Sequence, residues 1–274
     1  MKFENFQALV YSDLFDYPLT YRELARWRIG DKIRIKTSGL IEEKDGYFFL
    51  KGREELIKLR KEREKYSKKK WVEARRAASK LQGVPWIKMI GVTGALAMNN
   101  AKEEDDIDFF VITSKDSLWL TRFLIWFICP FLGIKRRARK DKDVKDKICF
   151  NLFLDESNLK IEPENLFLAH EICQVRPLLN KDKTYEKFIK ANEWVEEYLP
   201  NALNFKRINR QSSQIMSTQA FSFLAILNRI AFFLQYHYMK SKITSEKITL
   251  TAAFFHPANS QKILHKYFQL FRKV

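Results

Sequence analysis

The sequence predicts an α+β chain: a small mixed β-sheet with helices, preceded by a helix–helix–hairpin module and followed by a helical domain. Three observations predict it. Apolar strand-like runs at Trp86 to Val92, Asp106 to Thr113 and Lys147 to Leu154 alternate with helical segments, which is the pattern of a sheet buried on at least one face. The first fifty residues carry their own turn and capping signals. The last third, from about residue 180, reads as helices with no convincing strand.

In the first fifty residues, Phe3, Phe6, Leu9, Val10 and Leu14 recur at helical spacing. Pro18 breaks the chain, and Thr20-Tyr21-Arg22-Glu23 is a capping box that starts a second helix. Asp45-Gly46 between two β-prone runs is a hairpin signal, because both central residues of a type I′ turn need positive φ. Helix, helix, hairpin is the outline of a winged-helix-like module over residues 1–52, with Ile29 to Ser38 left for a short third helix. Residues 53–82 read as a long basic linking helix, most simply a solvated face. The core is expected at 83–180. In it, Gly94 starts a helix running to about Lys102, and an apolar helix spans Ser117 to about Leu132. Residues 181–274 are expected as the helical domain, with helices over Tyr185 to Tyr198, Met216 to Met239 and Ser260 to Phe271, and Ser245-Glu246 resembling a helix start.

Composition narrows the classes. At 274 residues, about 150 per domain suggests roughly two domains. A content of 46% hydrophobic and 30% charged residues excludes a disordered chain. Fifty Lys and Arg against 33 Asp and Glu leave +17, which attracts polyanions: nucleic acid, nucleotides or an acidic membrane surface. Cys129, Cys149 and Cys173 lie in apolar stretches without a CxxC, so they read as reduced core thiols of a cytoplasmic protein. The most apolar window, Leu118 to Ile134, is 17 residues, carries Arg122 and is short for a span. Phe221 to Tyr238 is interrupted by Asn228, Arg229, Gln235 and His237. No transmembrane span is expected, although both stretches could rest on anionic lipid.

The chemistry-bearing segment is Gly91-Val92-Thr93-Gly94-Ala95, followed by Asp106-Ile107-Asp108-Phe109. Asp106 and Asp108 are two apart in a strand, so both side chains leave one face. Like charges there repel and resist desolvation, a penalty that a divalent cation removes. Carboxylates with phosphate oxygens are hard ligands suited to Mg²⁺. A Gly turn opening a helix ahead of them offers amides to an anion. Acidic residues in a solvated turn, Glu103 to Asp106, are the plainer alternative.

These residues resemble the nucleotidyltransferase superfamily with the polymerase-beta-like fold. Its pattern is a hydrophobic strand, Gly followed by Gly or Ser, a gap near ten, then Asp-h-Asp-h; here Gly94-Ala95, a gap of ten residues and Asp106 to Phe109 stand in those places. The resemblance covers about Pro85 to Leu154. It implies Mg²⁺ on Asp106 and Asp108, and nucleoside triphosphate phosphates beside Thr93, Gly94 and Ala95. The implied reaction is transfer of a nucleoside monophosphate to a hydroxyl on a nucleic acid end, a protein or a small molecule. Two positions depart from the pattern. Ala95 replaces the usual Ser, with Thr93 a substitute hydroxyl. The third carboxylate's strand offers Asn151, with Asp155 or Glu156 at its end as substitutes.

The alternative is a non-catalytic protein binding DNA or RNA on the same scaffold. The run Lys135 to Lys140 then faces phosphates or solvent. His170, His237, His256 and His265 form no metal spacing and read as packed or surface residues, and Phe254-Phe255-His256-Pro257 suggests no mechanism. No P-loop, GxGxxG or GxSxG is present, which argues against P-loop enzymes, dinucleotide oxidoreductases and common serine hydrolases.

Overall fold

Local signals act where the sequence puts them. In the computed structural model, which describes residues 3–30, 39–204, 223–244, 246–255 and 260–272, helix α1 (Phe3–Asp13) leads to a two-residue strand β1 (Leu19–Thr20) and helix α2 (Tyr21–Arg26). The capping box is formed: the Glu23 amide donates to Thr20 Oγ1, and the Thr20 amide donates to Glu23 Oε2 at 2.9 Å. β2 (Ile41–Lys44) and β3 (Tyr47–Leu50) make the hairpin, with φ of 54° at Asp45 and 76° at Gly46. The small sheet has the order β1-β3-β2 and is antiparallel. The third helix expected within Ile29 to Ser38 falls almost wholly outside the described residues.

Helix α3 (Glu55–Leu81) is the long basic helix, but it is not simply solvated. Leu56, Ala74, Ala78 and Leu81 are buried, and so are Arg60, Arg63 and Lys70. Each buried cation is matched. Arg60 pairs with Glu23 at 2.8 Å, and Arg63 donates to Asn100 Oδ1 at 3.1 Å. Lys70 Nζ donates to the Glu103 and Asp105 carbonyls and to Asp146 Oδ1 at 2.6–3.0 Å. Charge density alone does not reveal such partners, which lie far along the chain.

The large sheet contains β4 (Ile87–Val92), β5 (Ile107–Thr113), β6 (Ile148–Asp155), β7 (Arg176–Asn180), β8 (Lys247–Ile248) and β9 (Ala252–Phe254). Its order is β7-β4-β5-β6-β9-β8, with β5–β6 parallel and every other pair antiparallel. Alternation along β5 divides the core: Phe110 and Ile112 join α1, α2, α6 (Leu166–Gln174) and α7 (Thr184–Ala191), while Phe109 and Val111 join α3 and α5 (Leu118–Ile128). Among the described residues the remaining α-helices are α4 (Gly94–Ala97), α8 (Val195–Tyr198), α9 (Phe223–Met239) and α10 (Ser260–Arg272).

The expectation of a strand-free C-terminal third is corrected. β8 and β9 lie within it, β7 (Arg176–Asn180) runs up to its start, and β9 hydrogen-bonds β6 through Leu152↔Phe254 and Leu154↔Ala252. The strands are two to five residues long, too short for a periodicity signal, and the pairing partner supplies what the sequence lacks. The helix expected over Tyr185 to Tyr198 breaks at Asn192, whose buried amide donates to the Leu159 and Phe188 carbonyls, both at 2.8 Å. The helix expected from Gly94 to Lys102 is a single turn, because Asn99 adopts a φ of 57°. Of the helix expected from Met216, the described part starts at Phe223. Ser245, His256 and Pro257 lie outside the described residues.

Candidate metal and phosphate site

β4 ends in a turn at Thr93 and Gly94, and β5 begins beside it. The Thr93 amide donates to the Asp108 carbonyl at 3.1 Å, fixing the turn against the strand. Gly94 has a φ of 62°, and a Cβ built on it would stand 2.8 Å from Asp108 Oδ2. Glycine is therefore required twice over, by backbone conformation and by the approach of a carboxylate. Lys70 ties down the loop that delivers the acids, since two of its three acceptors are carbonyls of residues 103 and 105.

Asp106 and Asp108 leave the same side of β5, as their spacing requires. Their carboxylates and the Cys149 thiol lie within 4.8 Å of one another. Cys149 is there because the parallel register sets it opposite Asp108. The sequence places Cys149 simply in the core; the register is what sets it beside the two aspartates. Burial and the two aspartates hold the thiol well above its usual range, so it is protonated and donates to the carboxylates. Arg137 Nη1 reaches Asp106 Oδ2 at 2.7 Å. One residue of the basic run thus faces inward, placed by the backbone bonds that Ile148 makes to Lys135 and Arg137.

Burial, then the charge on Asp106, raises Asp108 from an ordinary 3.8 to about 7. A second raised acid stands nearby: burial, then the charge on Asp108, lifts Glu171 on α6 to about 7. Sequence reasoning missed Glu171, which lies in an amphipathic helix with no motif around it.

Thr93, Gly94, Ala95, Asp106, Asp108, Arg137, Asn151 and Glu171 line one cavity of about 560 Å³. Every site residue read from the sequence is among them. Asn151 sits at a bulge in β6, where the register against β5 shifts between Phe109 and Phe110. Asp155 and Glu156 do not reach the cavity. Asp155 is at the far end of β6, about 20 Å along the strand from Cys149, and accepts from the Asp116 amide, the Ser157 amide and the Ser157 hydroxyl. Glu156 accepts from the Lys115 amide at 3.0 Å.

The cavity's other walls are aromatic and include Tyr11, Tyr17, Trp27 and His170. The His170 ring stacks on Tyr11 at 3.8 Å, and burial, then the charge on Arg26, lowers it to about 3, so it is neutral. It is a packed histidine, as expected. His237 and His265 are exposed.

No protein-family model matches the chain, and no curated protein matches it.

Proposed function

We propose that this protein is a Mg²⁺-dependent nucleotidyltransferase that moves a nucleoside monophosphate from a nucleoside triphosphate to a hydroxyl acceptor. The observation that carries the reading is the meeting of Asp106, Asp108 and Gly94 on one cavity wall. Two carboxylates this close, with Arg137 as the neighbouring cation, leave a negative balance that a hard divalent ion would neutralise. The donor set fits in part. Asp106, Asp108 and the Asn151 side chain offer oxygen, while the protonated Cys149 thiol is a poor partner for Mg²⁺. When bound, the ion would polarise a phosphoryl oxygen and stabilise the departing pyrophosphate.

The chain's own residues supply the rest. Arg137, paired with Asp106 here, would turn to phosphate oxygens once a cation takes over that carboxylate. Helix α4 is one turn long, so its dipole adds little, and phosphate binding rests chiefly on Arg137 and the ion. Glu171, at about 7, titrates where a carboxylate can accept a proton from an attacking hydroxyl. The aromatic walls exclude water and give a base a surface to stack on.

The test is release of pyrophosphate from each of the four ribonucleoside triphosphates in the presence of Mg²⁺ and a hydroxyl acceptor, supplied in turn as an oligonucleotide end, a protein and a small polyol, with the nucleoside monophosphate followed onto the acceptor. Release by the parent, abolished in Asp106→Ala with Asp108→Ala, supports the reading; equal release by both discards it. A second reading has an observation of its own: Lys58, Lys61, Lys65, Lys68 and Arg75 are exposed along α3. A nucleic-acid protein neutralising about six phosphates there would show a slope near −5 in log K against log salt. A flat dependence removes it.

A further inference from the structure

Helices α5 and α9 turn aromatic side chains away from the core. They lie over the same face of the large sheet and are locked together. Asn228 Oδ1 accepts from the Trp119 and Leu120 amides at 2.7 and 3.3 Å, the Trp119 and Phe232 rings are 5.0 Å apart, and Arg122 donates to Gln235. Outward, Trp126 and Phe127 on α5, Phe131 in the turn just past its end, and Ile230, Phe233 and Leu234 on α9 are each more than 50% exposed. On α9, steps of three and four residues make Ile230, Phe233 and Leu234 into a stripe of the kind a helix ordinarily buries. An exposed apolar surface of this sort marks a binding face.

Charge selects the partner. Residues 118–140 and 223–244 contain no Asp or Glu. Arg136 lies 6.0 Å over the Trp126 ring, and Arg229 and Lys240 are exposed on and just beyond α9. A second copy would set one positive rim against another. A nucleic acid would leave Ile230 and Leu234 without apolar contact. An anionic bilayer surface answers both features, with rings at headgroup depth and cations on lipid phosphates. Among the described residues, no helix is long and apolar enough to cross a membrane. We propose that the α5–α9 face seats this protein on the surface of an anionic lipid bilayer.

The test is flotation of the full chain with vesicles of phosphatidylcholine alone and of phosphatidylcholine with phosphatidylglycerol. The anionic vesicles should carry the protein up, and high salt should weaken the association. Phe127→Glu with Phe233→Glu should lower the partition coefficient by roughly tenfold or more, with pyrophosphate release and far-ultraviolet circular dichroism unchanged. Arg229→Glu with Lys240→Glu should remove the preference for anionic vesicles. Brominated lipid should quench parent fluorescence, and Trp126→Phe should lose most of that quenching, a readout that needs no disruptive substitution. No flotation on anionic vesicles, partition unchanged in Phe127→Glu with Phe233→Glu, or quenching unchanged in Trp126→Phe would overturn the proposal. So would a lipid-free dimer that the paired Glu substitutions dissolve, which would give the face to a second copy.

Discussion

Asp108→Asn should make the protein without metal more stable. Moving this carboxyl from an ordinary 3.8 to about 7 disfavours its ionised form by about 4 kcal/mol, and its opening onto the cavity halves that to about 2 kcal/mol. The sign follows from proton counting. Between pH 4 and 7 the native state holds a proton that the unfolded chain has released, so stability falls as pH rises across that window. The amide removes the titration and the repulsion with Asp106. Urea unfolding in chelator should therefore show the variant's advantage growing from little near pH 4.5 to about 2 kcal/mol at pH 8. Saturating Mg²⁺ should stabilise the parent and not the variant. An advantage independent of pH, or a variant weaker than the parent at pH 8, would refute the electrostatic reasoning.

Three further outcomes follow from the same geometry. Gly94→Ala should destabilise by about 1–3 kcal/mol in urea unfolding, because a Cβ meets Asp108 Oδ2 at a positive φ. Lys70→Ala should cost about 1–3 kcal/mol by removing the donor that the Glu103 and Asp105 carbonyls and Asp146 share, the Asp105 carbonyl keeping only the Asp146 amide, and hydrogen exchange should quicken across residues 103–106. His170, lowered to about 3, should show no titration by NMR between pH 5 and 8; because the unfolded chain takes up a proton below its ordinary 6.5 and the native chain does not, His170→Phe should lessen the loss of stability on acidification.

Much of the site was legible because it is local. Thr93, Gly94, Asp106 and Asp108 announce a strand, a turn and two acids on one face, and the pleat does the rest. Cys149 and Glu171 were not legible as site residues, since each arrives by tertiary placement: one through the β5–β6 register, one through the packing of α6 on the cavity. The fold shows the same division. The capping box at Thr20 and the hairpin at Asp45-Gly46 depend on neighbouring residues and could be read directly. β8 and β9 exist as sheet because β6 has an edge to fill, and a sequence pattern does not display a partner more than ninety residues away.

Titration of the parent with Mn²⁺ at pH 8, followed by electron paramagnetic resonance with and without a non-hydrolysable nucleoside triphosphate, addresses the two aspartates themselves. One ion bound, held more tightly when the triphosphate is present and released in Asp106→Ala with Asp108→Ala, is the expected result. Binding of the triphosphate that ignores the metal, or a bound ion that survives the loss of both carboxylates, would contradict it.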